Sequence, residues 1–304
     1  MKVGFIGLGI MGKPMALHLI QRGFETYLFD INTSAVNELN ALGGHACASL
    51  KEIANNSEII ITMLPKSQHV TQVLFGEEGL AEHSTQGTIV IDMSSVSTED
   101  SKICANKLKE FGIAFLDAPV SGGEPMALEG KLSIMVGGDE RDFKKTLPLF
   151  QAMGENIVHF GENGNGSAAK LANQIIVSAN LAALSEACVY ASKSGIDLNK
   201  LFEALNGGLA GSAVMDAKMP SIISGNYEPG GKIETNFKDL GNIQQSANAI
   251  GVPLPITNLV KEIFSSEMVN GNGKKDHSFI IDFFEKMANH KIPVTKIRES
   301  NKAL

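Results

Sequence analysis

The chain has 304 residues, 43% hydrophobic and 19% charged, with a formal net charge of −7. That length predicts about two domains with substantial cores and excludes an extensively disordered chain. Scattered basic residues in an acidic chain give no electrostatic footprint for nucleic acid, and the sequence is read as having no membrane-spanning segment.

Cys47, Cys104 and Cys188 are an odd, widely spaced set. With no export signal they predict reduced thiols and a cytoplasmic protein. The apolar start at residues 3–11 is punctuated by Gly4, Gly7 and Gly9 and reads as strand and turn, not as a signal peptide. The histidines are spread out, and no metal site is expected.

Short apolar runs alternate with helical stretches through the first half. Strands are predicted at 2–7, 25–30, 58–63, 88–92, 114–118, 132–136 and 157–160, with helices at 11–22, 34–42, 98–111 and 140–153. Runs such as Ile59-Ile60-Ile61 and Ile89-Val90-Ile91 are apolar without alternation, as expected of strands buried on both faces of a parallel sheet. The pattern predicts an α/β fold with a doubly wound sheet.

The first strand runs into Gly7-Leu8-Gly9-Ile10-Met11-Gly12, which opens a helix. In that context the glycines permit a tight turn, close approach of a pyrophosphate and helix–strand packing, while the helix N-terminus offers N–H donors. Asp30 closes the second strand near the ~20-residue offset of an acidic group that accepts from adenosine ribose hydroxyls. Its charge would repel a 2′-phosphate, and Ile31, Asn32 and Thr33 supply no cation. NAD(H) is therefore expected over NADP(H); the competing reading of Asp30 is a cap for the next helix. Met63-Leu64-Pro65 and Ser94-Ser95 lie at later strand ends facing the same crevice.

Asp117-Ala-Pro-Val-Ser121-Gly122-Gly123 follows another strand. Successive N–H groups and the Ser121 hydroxyl could hold a substrate carboxylate, or simply form a tight turn. From 167 to 194 the chain is apolar and alanine-rich, predicting one long helix that opens an all-helical second domain. Lys170 in its first turn and Asn173 three residues on share a helix face, a proton donor beside a hydrogen-bonding amide. Further helices are predicted at 198–205, 212–223, 237–250, 256–268 and 278–288. The helix at 237 would begin on Lys238-Asp239, where the dipole disfavours lysine. The domains are 1–162 and 163–292, with a polar, mobile tail at 293–304.

Four motifs in order resemble the β-hydroxyacid dehydrogenase family: Gly7-Leu-Gly-Ile-Met-Gly-Lys-Pro-Met15, Asp117-Ala-Pro-Val-Ser-Gly-Gly123, Gly164-Asn-Gly-Ser-Ala-Ala-Lys-Leu-Ala-Asn173 and Lys238-Asp239. The resemblance implies a Rossmann-type sheet followed by an all-α domain, as in 6-phosphogluconate dehydrogenase. It implies Lys170 as general acid/base, Ser121, Gly122, Gly123 and Asn173 as substrate ligands, and Ser95 and Lys238 near the nicotinamide. It also implies a homo-oligomer. Residues 121–125, the Gly-Gly-Leu-Ala-Gly-Ser loop at 207–212 and Asp276-His-Ser278 look most like the branch that interconverts tartronate semialdehyde and D-glycerate. 3-Hydroxyisobutyrate, 3-hydroxypropionate, glyoxylate and succinic semialdehyde are the alternative substrates, and a non-catalytic cofactor-binding module the remote one.

Overall fold

A computed structural model describes residues 1–296, and the chain divides into two compact units, 1–171 and 172–304. In the first unit the order is β1 (Lys2–Ile6), α1 (Gly12–Gln21), β2 (Glu25–Phe29), α2 (Thr33–Asn40), β3 (His45–Ala46), α3 (Leu50–Asn56), β4 (Ile59–Thr62), α4 (Ser67–Phe75) and α5 (Leu80–His83). Then come β5 (Ile89–Asp92), α6 (Thr98–Glu110), β6 (Ala114–Asp117), β7 (Val120–Ser121), α7 (Gly123–Glu129), β8 (Leu132–Val136), α8 (Glu140–Met153) and β9 (Gly154–His159).

Strands β3-β2-β1-β4-β5-β6 form one parallel sheet. The order reverses between β1 and β4, so the crevice beyond their C-terminal ends is the position where doubly wound sheets take ligands. Side chains alternate across a strand, and here the alternation feeds two cores. Val3, Phe5, Ile59, Ile61, Ile89 and Ile91 pack on one face with Met15 and Leu19 of α1, whereas Ile6, Ile60, Val90 and Phe115 pack on the other with Ile53 and Cys104. All four residues of β4 and of β5 are buried, which is why their sequences show no polar alternation.

The strands predicted at 132–136 and 157–160 do not extend this sheet. They are β8 and β9, which form a separate three-stranded sheet with β7, antiparallel at β7–β8 and parallel at β8–β9. The two-residue strands β3 and β7 and the helices α3, α4, α5 and α7 have no counterpart among the predicted elements. All but α4 are seven residues or shorter, too short for a hydrophobic period to emerge.

The second unit is helical, built on α9 (Asn165–Lys193), which starts in the first unit, then α10 (Leu198–Asn206), α11 (Ala213–Ser224), α12 (Ile233–Ile250), α13 (Pro255–Val269), a 3-10 turn (His277–Ile280) and α14 (Ile281–Ala288). Its core gathers Leu184, Cys188, Met215, Met219, Ile222 and Ile281. By length and composition α9 is long and apolar enough to cross a membrane, although no membrane-spanning segment is expected from the sequence. The uncharged stretch between Lys170 and Glu186 falls short of the ~20 residues a bilayer core takes. Gln174 and Ser178 on it are buried and hydrogen-bonded to Asp239 and Asn236, so α9 is the core helix of a helical unit.

Buried Asp276 fastens this unit. Its Oδ2 accepts from Lys218 Nζ at 2.9 Å and from the Gly230 and Gly231 N–H groups at 3.0 Å, and its Oδ1 accepts from the Ser278 hydroxyl at 2.7 Å. Burial would raise its carboxyl, but the adjacent His277 and these hydrogen bonds outweigh burial and bring it down to about 2. The start of the expected tail is also held: Ile292 N–H donates to Glu285 and Thr295 N–H to the Ile223 carbonyl. Residues 297–304 of that tail lie outside the described residues.

Candidate active site

The loop between β1 and α1 distinguishes its three glycines. Gly7 has φ +96°, and a Cβ there would lie 2.3 Å from the Met63 carbonyl oxygen; one on Gly12 would lie 1.9 Å from the Gly7 carbonyl oxygen. A Cβ on Gly9 would meet nothing within 4 Å. Gly7 and Gly12 are thus required by packing, while the space before Gly9, flanked by exposed Ile10 and half-buried Met11, is open to a ligand. That opening beside a helix N-terminus fits a dinucleotide's pyrophosphate.

Asp30 lies just past β2 and is engaged with this loop. Its carboxylate accepts from Leu8 N–H at 2.5 Å and from Asn32 N–H at 2.6 Å. It does not cap α2; Asn32 does, accepting from Ser34 N–H. The loop and the acidic group are therefore set relative to one another by the protein itself.

The ends of β4 and β5 are cross-linked. Thr62 Oγ1 donates to Asp92 Oδ1 at 2.8 Å, Ser94 N–H donates to the same oxygen at 3.1 Å, and Leu64 N–H donates to Ser94 Oγ at 2.8 Å. Ser94 is buried and acts as a connector between loops, whereas Ser95 is half-buried and Pro65 exposed. Burial pushes the Asp92 carboxyl up to about 6, against the Ser94 and Thr62 hydrogen bonds and with help from the charge of Asp117.

Ser121, Gly122 and Gly123 do not form an isolated turn. Ser121 ends β7, paired with Ser133, and Gly122 (φ +133°) leads into α7. Ser121 is half-buried, and Gly122 and Gly123 are exposed. At the far end of α7, His18 Nε2 from α1 lies 3.1 Å from the Ala127 and Leu128 carbonyl oxygens. The aspartate that opens this motif has a different task. Fully buried Asp117 accepts from Gly164 N–H at 2.7 Å and from Ser167 N–H at 2.8 Å, holding the N-terminus of α9. Ser101 and Ser167 hydroxyls meet at 2.8 Å beside it. Gly166 fits against this anchor because a Cβ would lie 2.4 Å from the Asp117 and Met135 carbonyl oxygens.

Lys170 is 9% exposed. Because α9 begins at Asn165, the lysine stands in its second turn, not the first. The same holds for Lys238: α12 begins at Ile233, so Lys238-Asp239 sit past its first turn and the dipole argument does not apply to them. In the second unit, Asn173 Nδ2 donates to Gln174 Oε1 at 2.9 Å, Gln174 Nε2 donates to Asp239 Oδ2 at 2.7 Å, and Lys238 Nζ lies 3.0 Å from Asp239 Oδ1. Asn173 and Lys238, both singled out from sequence, are thus joined through Gln174, which was not, and through Asp239, named there only as the second residue of the Lys238-Asp239 motif. The available signal was polarity in buried company, since Gln174 and Asp239 are 7% and 3% exposed.

Comparison with known proteins bears on the whole chain. Residues 2–161 match the NAD binding domain of 6-phosphogluconate dehydrogenase, and residues 164–284 match the NAD-binding family of NADP-dependent 3-hydroxyisobutyrate dehydrogenase. The compact units part at 171/172, and the first turns of α9 are fastened to Asp117 of the first unit. The 2-hydroxy-3-oxopropionate reductase of Escherichia coli K12 is 44% identical over 96% of this chain and 100% of its own length. The 2-(hydroxymethyl)glutarate dehydrogenase of Eubacterium barkeri is 38% identical over 94% of this chain and 95% of its own. The crystal structure of 3-hydroxyisobutyrate dehydrogenase from Salmonella typhimurium superposes with a TM-score of 0.85 at 31% identity, covering 93% of this chain and 99% of that one. With its parallel sheet, open glycine loop and buried lysine, the chain belongs to the 3-hydroxyisobutyrate dehydrogenase-like β-hydroxyacid dehydrogenases, a family of NAD(P)-dependent oxidoreductases.

Proposed function

We propose that the protein interconverts tartronate semialdehyde and D-glycerate, with Lys170 as the general acid/base. The observation that carries the chemistry is a lysine only 9% exposed, presented by a helix whose N-terminus is tied to a buried aspartate. The 44% identity to a 2-hydroxy-3-oxopropionate reductase favours this substrate over the others.

The residues 7–12 loop would hold the pyrophosphate, with Asp30 at the ribose and Met63, Leu64, Pro65, Ser95 and Lys238 toward the nicotinamide. Bound there, the cofactor supplies the hydride. Lys170 Nζ donates a proton to the oxygen of the reduced carbonyl; a lysine ammonium carries that proton at neutral pH. In the reverse direction the neutral amine accepts the hydroxyl proton. Ser121 and the N–H groups of Gly122 and Gly123 hold the substrate carboxylate, and Asn173, oriented by Gln174, binds the substrate hydroxyl. Fixing the carboxylate turns a collision into an aligned approach.

NAD(H) is proposed over NADP(H). Asp30 faces the loop with its carboxylate, and its neighbour Ile31 is 95% exposed and brings no cation for a 2′-phosphate. The protein is also proposed to self-associate through the second unit, where a groove of about 880 Å³ is lined by apolar groups that include Tyr190, Leu259 and Met287, 74%, 66% and 74% exposed. Three free, buried thiols agree with a reducing, cytoplasmic setting.

A steady-state screen of tartronate semialdehyde, 3-hydroxyisobutyrate, 3-hydroxypropionate, glyoxylate and succinic semialdehyde with both cofactors tests the assignment. The highest kcat/KM is expected for tartronate semialdehyde with NADH. A higher value for succinic semialdehyde overturns the substrate, and equal values for NADPH and NADH overturn the cofactor preference.

A further inference from the structure

Strands β5 and β6 end in register on two aspartates, Asp92 beside Asp117, which are 1% and 0% exposed. A pair of buried carboxylates on adjacent strands is costly. Burial pushes both carboxyls upward, and the charge of Asp117 further opposes ionisation of Asp92. Asp92 Oδ2 has no hydrogen-bond partner among the described residues, so this site is not optimised for stability alone.

What the two side chains hold differs. Asp92 gathers the loops after β4 and β5: it accepts from Thr62 and from Ser94 N–H, and Ser94 in turn accepts from Leu64 N–H. Leu64 and Ser95 are cofactor-side residues in the function proposed above. Asp117 holds the other partner of the reaction, because Gly164 and Ser167 N–H groups fix the helix end that presents Lys170 one turn later.

Resting on that function, we infer that the pair divides the positioning of the site: Asp92 sets the loops that receive the cofactor, and Asp117 sets the turn that presents the catalytic lysine. Neither is a catalytic residue. Each acts through the backbone it fastens, so the two produce opposite kinetic signatures although they lie on neighbouring strands. A merely structural pair would lower stability and both kinetic parameters together.

The test uses the full chain, with NADH binding followed by its own fluorescence and turnover followed with tartronate semialdehyde at saturating NADH. Asp92→Ala is expected to raise the NADH Kd about tenfold while leaving kcat within about threefold. Asp92→Asn, which keeps an accepting Oδ1, should recover most of that loss. Asp117→Asn replaces one of two accepting oxygens by an amide that cannot accept, and is expected to lower kcat about tenfold with the NADH Kd within about twofold. Should either aspartate variant fold poorly, Ser94→Ala removes the acceptor for Leu64 N–H, and Ser101→Ala releases a second tie on the α9 terminus. These should give the same two signatures, smaller. Variants of both aspartates that move Kd and kcat alike, or move neither, overturn the division while wild-type binding and turnover leave the proposed function standing. A wild type that binds no NADH overturns both. One that binds NADH but reduces no tartronate semialdehyde overturns the substrate and the lysine arm with it.

Discussion

Lys170, the one cation in the N-terminal half of an apolar helix, was the most legible residue of the chain, because a charge set among apolar residues calls for a chemical reason. Lys170→Ala is expected to lower kcat at least ~10²-fold with NADH binding little changed, measured by steady-state kinetics and NADH titration. Lys170→Arg should fail similarly, since guanidinium does not release protons readily; near-normal turnover in either would remove Lys170 from the mechanism. The glycines give a second contrast. Gly9→Ala meets no protein atom, so the thermal midpoint should stay within about 2 °C while NADH binding weakens about tenfold or more. Gly12→Ala drives a methyl into the Gly7 carbonyl and should lower the midpoint by several degrees, roughly 2–4 °C for each kcal/mol lost. Equal stability of the two variants would contradict the separate roles. Less legible were Gln174, Asp239, Asp92 and Ser94. Their meaning lies in partners 30 to 65 positions away, and sequence spacing cannot reveal a hydrogen bond across strands or helices.

At the level of elements, strands buried on both faces were readable because β4 and β5 need no polar side, and α8 spans the predicted 140–153, where the structure shows Asp139 capping it. What escaped was the pairing. Nothing in the local pattern of β8 and β9 separates a second sheet from two more strands of the first, since register depends on neighbours remote in sequence. The start of α12 escaped because Ile233, one turn before the predicted start, is buried but stands apart from the apolar run. Two element-end carboxylates predict opposite pH responses of stability. Asp276 has a folded-state value lowered to about 2 from an ordinary 3.8. Its stabilisation is present above about pH 4 and is lost as pH falls through about 2, and Asp276→Asn should cost about 2 kcal/mol at neutral pH. Asp92 is raised to about 6, so its contribution is most favourable below about pH 4 and declines as pH rises through 6. Asp92→Asn should therefore compare better with the wild type at pH 8 than at pH 4.5 in calorimetric midpoints. The reverse order would contradict the direction given for Asp92.

For the whole molecule, the alternation of strands and helices followed by an uninterrupted apolar run announced the two-part architecture, because each class carries its own hydrophobic period. Association was less legible, since exposed and buried apolar residues look the same in a sequence. Light scattering is expected to give at least twice 32.4 kDa, and Leu259→Glu, at a position 66% exposed on the groove rim, should reduce the mass toward that of one chain without unfolding it. A wild type that stays monomeric at micromolar concentration would remove the groove from consideration as an interface. The fastening of α9 also limits how such proteins can be recombined. A chimaera joined at 162/163 would draw its lysine from one parent and the aspartate that anchors the helix end from the other. A junction after Leu171, where the compact units part, keeps both in one inheritance. The natural seam between the two units thus falls inside a helix, two turns beyond the loop where an engineer would first cut.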